Sequence, residues 1–377
     1  MLSLSRRHVL LGAAASATLQ ASAAPILVKK ESRLIYSEGP SWIGQTNAWT
    51  LCDRVKKAGF NVLMACPWHG TGVSWPSQVC PAWDNNPKFQ ANYVDGLDPL
   101  GLLIQTAHAF GLEVHVVFTV MQKRRHGTDF FPGFEPKAKY PKDAFDLRNA
   151  EFRDFFVALV KEVVTNYPID GLNLDYIRVG DGAHLNADWI AQYRDTTGRD
   201  LVQDYNDLLS DAKSGTTQHP EARALIDWQE TVVGDIVKRV GAIAPAGKPF
   251  SVHGRPFDPL YAIQGRVPEK WLANRNINLL YEADYELKPD WNAIRARMKL
   301  LSRPSALVPM VANWNAGSPV TPRTPKEVAN LLFSVERQIA PPNGTALYLY
   351  EQLTDDQITQ LAATTHRQAA TPYWVLA

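Results

Sequence analysis

The chain has 377 residues, and its 39 basic and 38 acidic side chains leave a formal charge of +1. So even a balance excludes a surface built to neutralise a row of phosphates, and nucleic acid is not an expected partner. Beyond the N-terminus no segment approaches the ~20 uninterrupted apolar residues of a membrane-spanning helix, so no membrane association is expected after removal of a signal.

The first residues read as an address. Ser5-Arg6-Arg7-His8-Val9-Leu10-Leu11 leads into an Ala-rich apolar stretch, and Ala21-Ser22-Ala23 supplies small residues at cleavage-site spacing. This is the pattern of a twin-arginine export signal over residues 1–23, which predicts a periplasmic or secreted mature protein. Residues 24–377 are expected to form one domain, a length compatible with a barrel of roughly 250–400 residues.

Short β-branched or aromatic runs then alternate with longer amphipathic stretches, as in repeated βα units. Eight strands are expected, at Arg33–Ser37, Asn61–Cys66, Glu113–Val120, Gly171–Arg178, Pro249–His253, Ile277–Tyr281, Ala306–Val311 and Ala346–Tyr350. Helical spacing covers Thr46–Ala58, Pro99–Phe110, Glu151–Asn166 and Glu221–Ala244, with Gly59 and Gly111 as C-terminal stops because only glycine enters the left-handed region cheaply. The predicted fold is an α/β (β/α)8 TIM barrel. Long connections fall after strands two, three and four: 68–97, 121–146 and 180–220. The last is expected to form a short helix and a loop above the barrel. Of three cysteines, Cys66 and Cys80 could form a disulfide in an oxidising compartment, and Cys52 lies in a helical pattern.

The chemistry concentrates in Ile169-Asp170-Gly171-Leu172-Asn173-Leu174-Asp175-Tyr176-Ile177-Arg178. Side chains alternate along a strand, so Leu172 and Leu174 face the helices while Asn173 and Asp175 face the barrel axis. Asp175 then stands at the carboxyl end of the strand, where barrel enzymes hold catalytic groups. The competing reading is a carboxylate neutralised by Arg178 or another buried arginine. Asp170, at the strand's other end, reads as a turn or cap group.

The stretch resembles the glycoside-hydrolase-like barrels known as family 10 glycosyl hydrolase-like proteins. The resemblance covers about residues 33–180 and rests on Lys57-Ala58-Gly59-Phe60-Asn61, Gly96-Leu97-Asp98-Pro99-Leu100, Ala107 through His115, and Tyr167 through Arg178. It implies a TIM barrel acting on glycans, with Asp175 as the motif's carboxylate. The chain departs from the family pattern at Asn173, where many members carry His, and at Tyr176, where they carry Asp. It departs again at Tyr281-Glu282-Ala283-Asp284-Tyr285, which replaces a Pro-Gln-aromatic strand.

Glycoside hydrolysis usually needs two carboxyl groups. Glu282 is the first candidate for the second, followed by Glu351 and Asp284, each with a salt-bridged rim role as its competing reading. Trp68 and His69 after strand two, His253 and Arg255 after strand five, Tyr281 and Asp284, and Trp314 with Asn313 after strand seven are expected to bind or stack on sugar, together with Asn173 and Arg178. His115, deeper in its strand, reads as core. Neither an H-E-x-x-H nor a Cys/His cluster is present, nor a P-loop, a G-x-S-x-G elbow or a dinucleotide fingerprint, so no metal and no cofactor is expected. The expected function is an exported glycosidase with a carbohydrate substrate; the alternative is a glycan-binding barrel without a competent acid/base pair.

Overall fold

The structure is a computed structural model that describes residues 28–376 except 40, 69, 71, 83–88, 90–95, 123–133, 135, 138–139, 142–143, 256–258 and 318. The expected export signal lies outside the described residues, as does His69.

Eight parallel strands close on themselves: β1 Arg33–Ser37, β2 Val62–Trp68, β3 Glu113–Thr119, β4 Gly171–Asp175, β5 Phe250–Gly254, β6 Leu279–Ala283, β7 Leu307–Ala312 and β8 Thr345–Tyr348. They follow chain order around the barrel, and β8 pairs with β1 in register Thr345↔Arg33. The fold is therefore the expected (β/α)8 barrel. Outside it run α1 Gln45–Lys57, α2 Pro99–Ala109, α3 Ala150–Asn166, α4 Ala187–Thr197, α5 Leu201–Ser214, α6 Arg223–Gly241, α7 Pro259–Ile263, α8 Pro268–Ala273, α9 Trp291–Leu300, α10 Pro325–Gln338 and α11 Asp355–Ala363.

Strand alternation divides the apolar residues into two cores. Leu172, Leu174, Val252 and Leu280 join the helices in an outer layer, whereas Leu34, Tyr36, Met64, Val117 and Met310 fill the barrel itself. The α3 stripe of Phe152, Phe156, Leu159, Val160 and Val163 belongs to the outer layer, and each such fully buried side chain contributes about 1.5–3 kcal/mol.

Local signals act where the sequence places them. Asp98 caps α2 by accepting the Gly101 N–H at 2.9 Å, with Pro99 in the first turn. Gly59 follows α1 at φ +80°, and a Cβ there would stand 2.5 Å from His366 Cβ, so conformation and close packing both require glycine.

Four expectations need correction. The 180–220 excursion holds two helices, α4 and α5, because Asn186 and Asp200 each cap one and Gly198 and Gly215 end them in the left-handed region. Strand four stops at Asp175 because Tyr176 turns the chain at φ +51°. Strand eight stops at Tyr348, and Tyr350–Gln352 form a 3-10 turn. No disulfide joins Cys66 and Cys80: the first lies inside the barrel, donating to the Trp68 carbonyl, and the second is in the outer layer. Burial pushes the Cys52 and Cys80 thiols up to about 12, so they remain protonated packing groups.

Candidate active site

Asp175 ends β4 on the inward face, as alternation requires. Its Oδ1 accepts the Tyr176 N–H at 2.7 Å, and the left-handed turn at Tyr176 makes that bond possible. Its Oδ2 accepts from the Tyr36 hydroxyl at 3.4 Å. His253 Nδ1 stands 3.3 Å from the same oxygen, close enough for an ion pair but not aligned as a hydrogen bond. Strands β1 and β5 thus brace the carboxylate from two sides.

The cup above it is a small cavity of about 100 Å³ that opens to solvent. Its walls carry Tyr285, Tyr348, Tyr261, Arg178, Arg255 and Arg266 besides Asp175 and His253. Tyr285 stacks on Tyr348 at 4.9 Å and Trp314 stands 5.8 Å from Tyr285, giving the rim an aromatic strip. Burial first, and then the Asp175 charge, hold the Tyr285 hydroxyl well above its ordinary pKa, so it stays protonated 3.2 Å from His253 Nε2.

Asp175, Arg178, His253, Arg255 and Trp314 are therefore brought together. Other expected site residues are not. Glu282 lies within β6, which runs on to Ala283; Tyr281 and Ala283 face the barrel, so Glu282 faces the helices and is fully buried. There its Oε1 stands 3.5 Å from Arg266 and 3.9 Å from Arg297. Burial pushes its carboxyl up and the two guanidiniums pull it back. Tyr281 fills the barrel interior and does not reach the mouth. Asn173 is also one layer down, donating to Ser251 Oγ at 2.7 Å.

Trp68 is turned out of the cup by a register shift between Ala65 and Trp68. It stacks on Phe145 in the outer layer and donates to the Thr119 carbonyl at 3.1 Å. Asp284 holds its own loop by accepting the N–H groups of Glu286 and Asp290. Glu351 clamps the β1 exit, accepting from Ser37 Oγ and Ser41 Oγ at 2.8 Å and from the Gly39 N–H at 3.1 Å. Asn313 is buried against Gln357. His115, as expected, is core.

One mouth carboxylate was missed by sequence reasoning: Glu38, two residues beyond the inward-facing Tyr36, which accepts a hydrogen bond from the Tyr348 hydroxyl. The signal available was the same alternation used for Asp175, applied one step past the end of β1.

No family model matches the chain. Over 216 residues, 54% of this chain and 38% of the relative, it is 26% identical to "Glycosyl hydrolase YngK" of Bacillus subtilis (strain 168). Over 155 residues, 36% of this chain and 35% of the relative, it is 26% identical to "Glycosyl hydrolase DigH" of Escherichia coli (strain K12). The matches span little more than a third of the length of these curated relatives. Among solved structures, the backbone is similar to the catalytic domain of a β-amylase from Paenibacillus polymyxa, with a TM-score of 0.58 at 9% identity over 91% of this chain and 99% of that one. It is also similar to a β-galactosidase from the psychrophilic Marinomonas ef1, with a TM-score of 0.56 at 10% identity over 89% of this chain and 59% of that one. These likenesses are likenesses of fold.

Proposed function

We propose that the protein is an exported glycoside hydrolase of the family 10-like type, acting on a poly- or oligosaccharide in the periplasm or outside the cell. The observation that carries this reading is Asp175: an inward carboxylate at the end of the fourth strand, braced by Tyr176, Tyr36 and His253, at the bottom of a tyrosine-walled cup. The two relatives named glycosyl hydrolases support it from sequence. The Arg-Arg signal of residues 5–8 supports export.

In this reading Asp175, ionised, faces the anomeric carbon and stabilises or attacks the oxocarbenium-like centre as the glycosidic bond breaks. Glu38 replaces Glu282 as the second carboxyl group. It donates its proton to the departing oxygen and recovers one from the water that completes hydrolysis. Tyr348 orients Glu38 through its hydroxyl, while Tyr285 and Trp314 supply faces on which a sugar ring stacks.

The test is release of reducing ends from a panel of bacterial and plant polysaccharides. Asp175→Asn is expected to lower the rate about 10²–10⁴-fold with unchanged melting, and Glu38→Gln by a similar factor. Equal rates for wild type and Asp175→Asn would remove Asp175 from the chemistry. The second reading, a non-catalytic glycan-binding barrel, is favoured by the structural duties of Glu282, Asp284 and Glu351. Glycan binding by the wild type without any release would establish it instead.

A further inference from the structure

Among the described residues the cup's wall carries Arg178, Arg255 and Arg266 beside the Asp175 carboxylate, with Glu38 at the rim, a cationic lining for a site meant to hold a neutral sugar. Arg178 lies over Tyr261, with its guanidinium 4.2 Å from the ring centre, and donates to Gln264 Oε1 at 2.8 Å. Its acidic neighbour, Asp181 at 3.4 Å, is largely in solvent. Arg255 stands exposed at the end of β5 with its guanidinium 5.8 Å from the Tyr285 ring, and among the described residues no carboxylate is within ion-pair distance of it.

Arg266 is only 5% exposed, and its Nε has no hydrogen-bond partner. It sits where it does because β5 ends in Gly254: a Cβ there would stand 2.5 Å from both Nε and Cζ of Arg266. Its counterion, Glu282, is shared with Arg297. The donors least engaged, those of Arg255 and the Nε of Arg266, belong to residues lining the cup's wall.

A buried, unpartnered guanidinium edge is costly unless something fills it, and a planar anion offers the matching pair of acceptors. An arginine stacked on a tyrosine is likewise held rigid, so little entropy is lost when it binds. We infer that the sugar held beside Asp175 carries an anionic substituent, a uronic-type carboxylate or a sulfate ester, seated among Arg178, Arg255 and Arg266. This rests on the glycosidase reading for its chemistry, but the binding it describes does not depend on cleavage.

Calorimetry on the full protein with D-glucuronate, D-galacturonate, glucose 6-sulfate, glucose and galactose is the test, paired with hydrolysis of galacturonate oligomers and their methyl esters. The acidic sugars are expected to bind about tenfold or more tightly than the neutral ones, and the acid oligomers to be cleaved preferentially by a similar factor. The preference should shrink in Arg255→Gln and in Arg266→Gln, and as salt is raised. Tighter binding of the uronates than of glucose 6-sulfate would assign the carboxylate, and the reverse order the sulfate. Equal binding of acidic and neutral sugars overturns the inference and leaves the glycosidase reading intact. Acid-selective binding without cleavage of any oligomer sustains the inference and counts against the glycosidase reading.

Discussion

The two ends of the barrel use the same residue types in opposite ways. At the floor the charges of Asp170 and Arg33 are matched. Asp170 accepts the Val114 N–H at 3.0 Å and lies 2.7 Å from His108 Nε2 and 3.3 Å from Lys248 Nζ. Burial alone would raise its pKa, but these donors outweigh it and hold the carboxyl below its usual range. Arg33 is saturated in the same way, by Glu31 at 2.6 Å and by the Gln368 carbonyl at 2.9 Å. Trp374 closes the floor against His115, at 5.1 Å between rings, while donating to Glu113. At the mouth, Arg255, the Nε of Arg266 and the Nδ1 of His253 lack hydrogen-bonding or ionic complements of that quality. Saturated polar groups stabilise a fold; groups left short of partners at an open cup are arranged for a ligand.

This contrast predicts that floor and wall changes move stability while mouth changes move activity. The largest effect on stability should come from Glu282→Gln, which leaves Arg266 and Arg297 buried around a neutral side chain. A loss of about 3–5 kcal/mol is expected in urea unfolding. A loss under 1 kcal/mol would mean that the pair is solvated and Glu282 reachable from the cup.

A pH-dependent effect, of comparable size by pH 4, is expected at His366. Burial, and then the positive Arg33, depress its pKa to about 3, while the unfolded chain titrates near ~6.5. The folded state therefore refuses a proton that the unfolded state accepts. Its contribution is complete above about pH 6.5 and falls by about 1.4 kcal/mol per unit as pH drops toward 3. Comparing unfolding of wild type and His366→Gln between pH 7 and 4 should show a shallower decline in the variant; parallel curves would discount the group.

The smallest effect belongs to Asp170→Asn. It keeps one acceptor for Val114 but discards the ion pairs, for about 1 kcal/mol with kcat/KM unchanged. A tenfold fall in kcat/KM would break the division between floor and mouth.

The sequence by itself determined the barrel, the order of its strands, the inward aim of Asp175 and the gathering of Arg178, His253 and Arg255 above it. Periodicity carries that information, because a side chain's face follows from its count along a strand or helix. What it could not supply was where each strand stops. Extending β6 by two residues, from Tyr281 to Ala283, turns Glu282 from a mouth acid into a buried counterion. A register shift in β2 likewise turns Trp68 outward. Both depend on how far the neighbouring strand keeps offering hydrogen-bond partners, a property of the closed sheet and not of the segment. Arg266 was hidden for the same reason: it meets the cup only because the chain, folded back, lays it against Gly254.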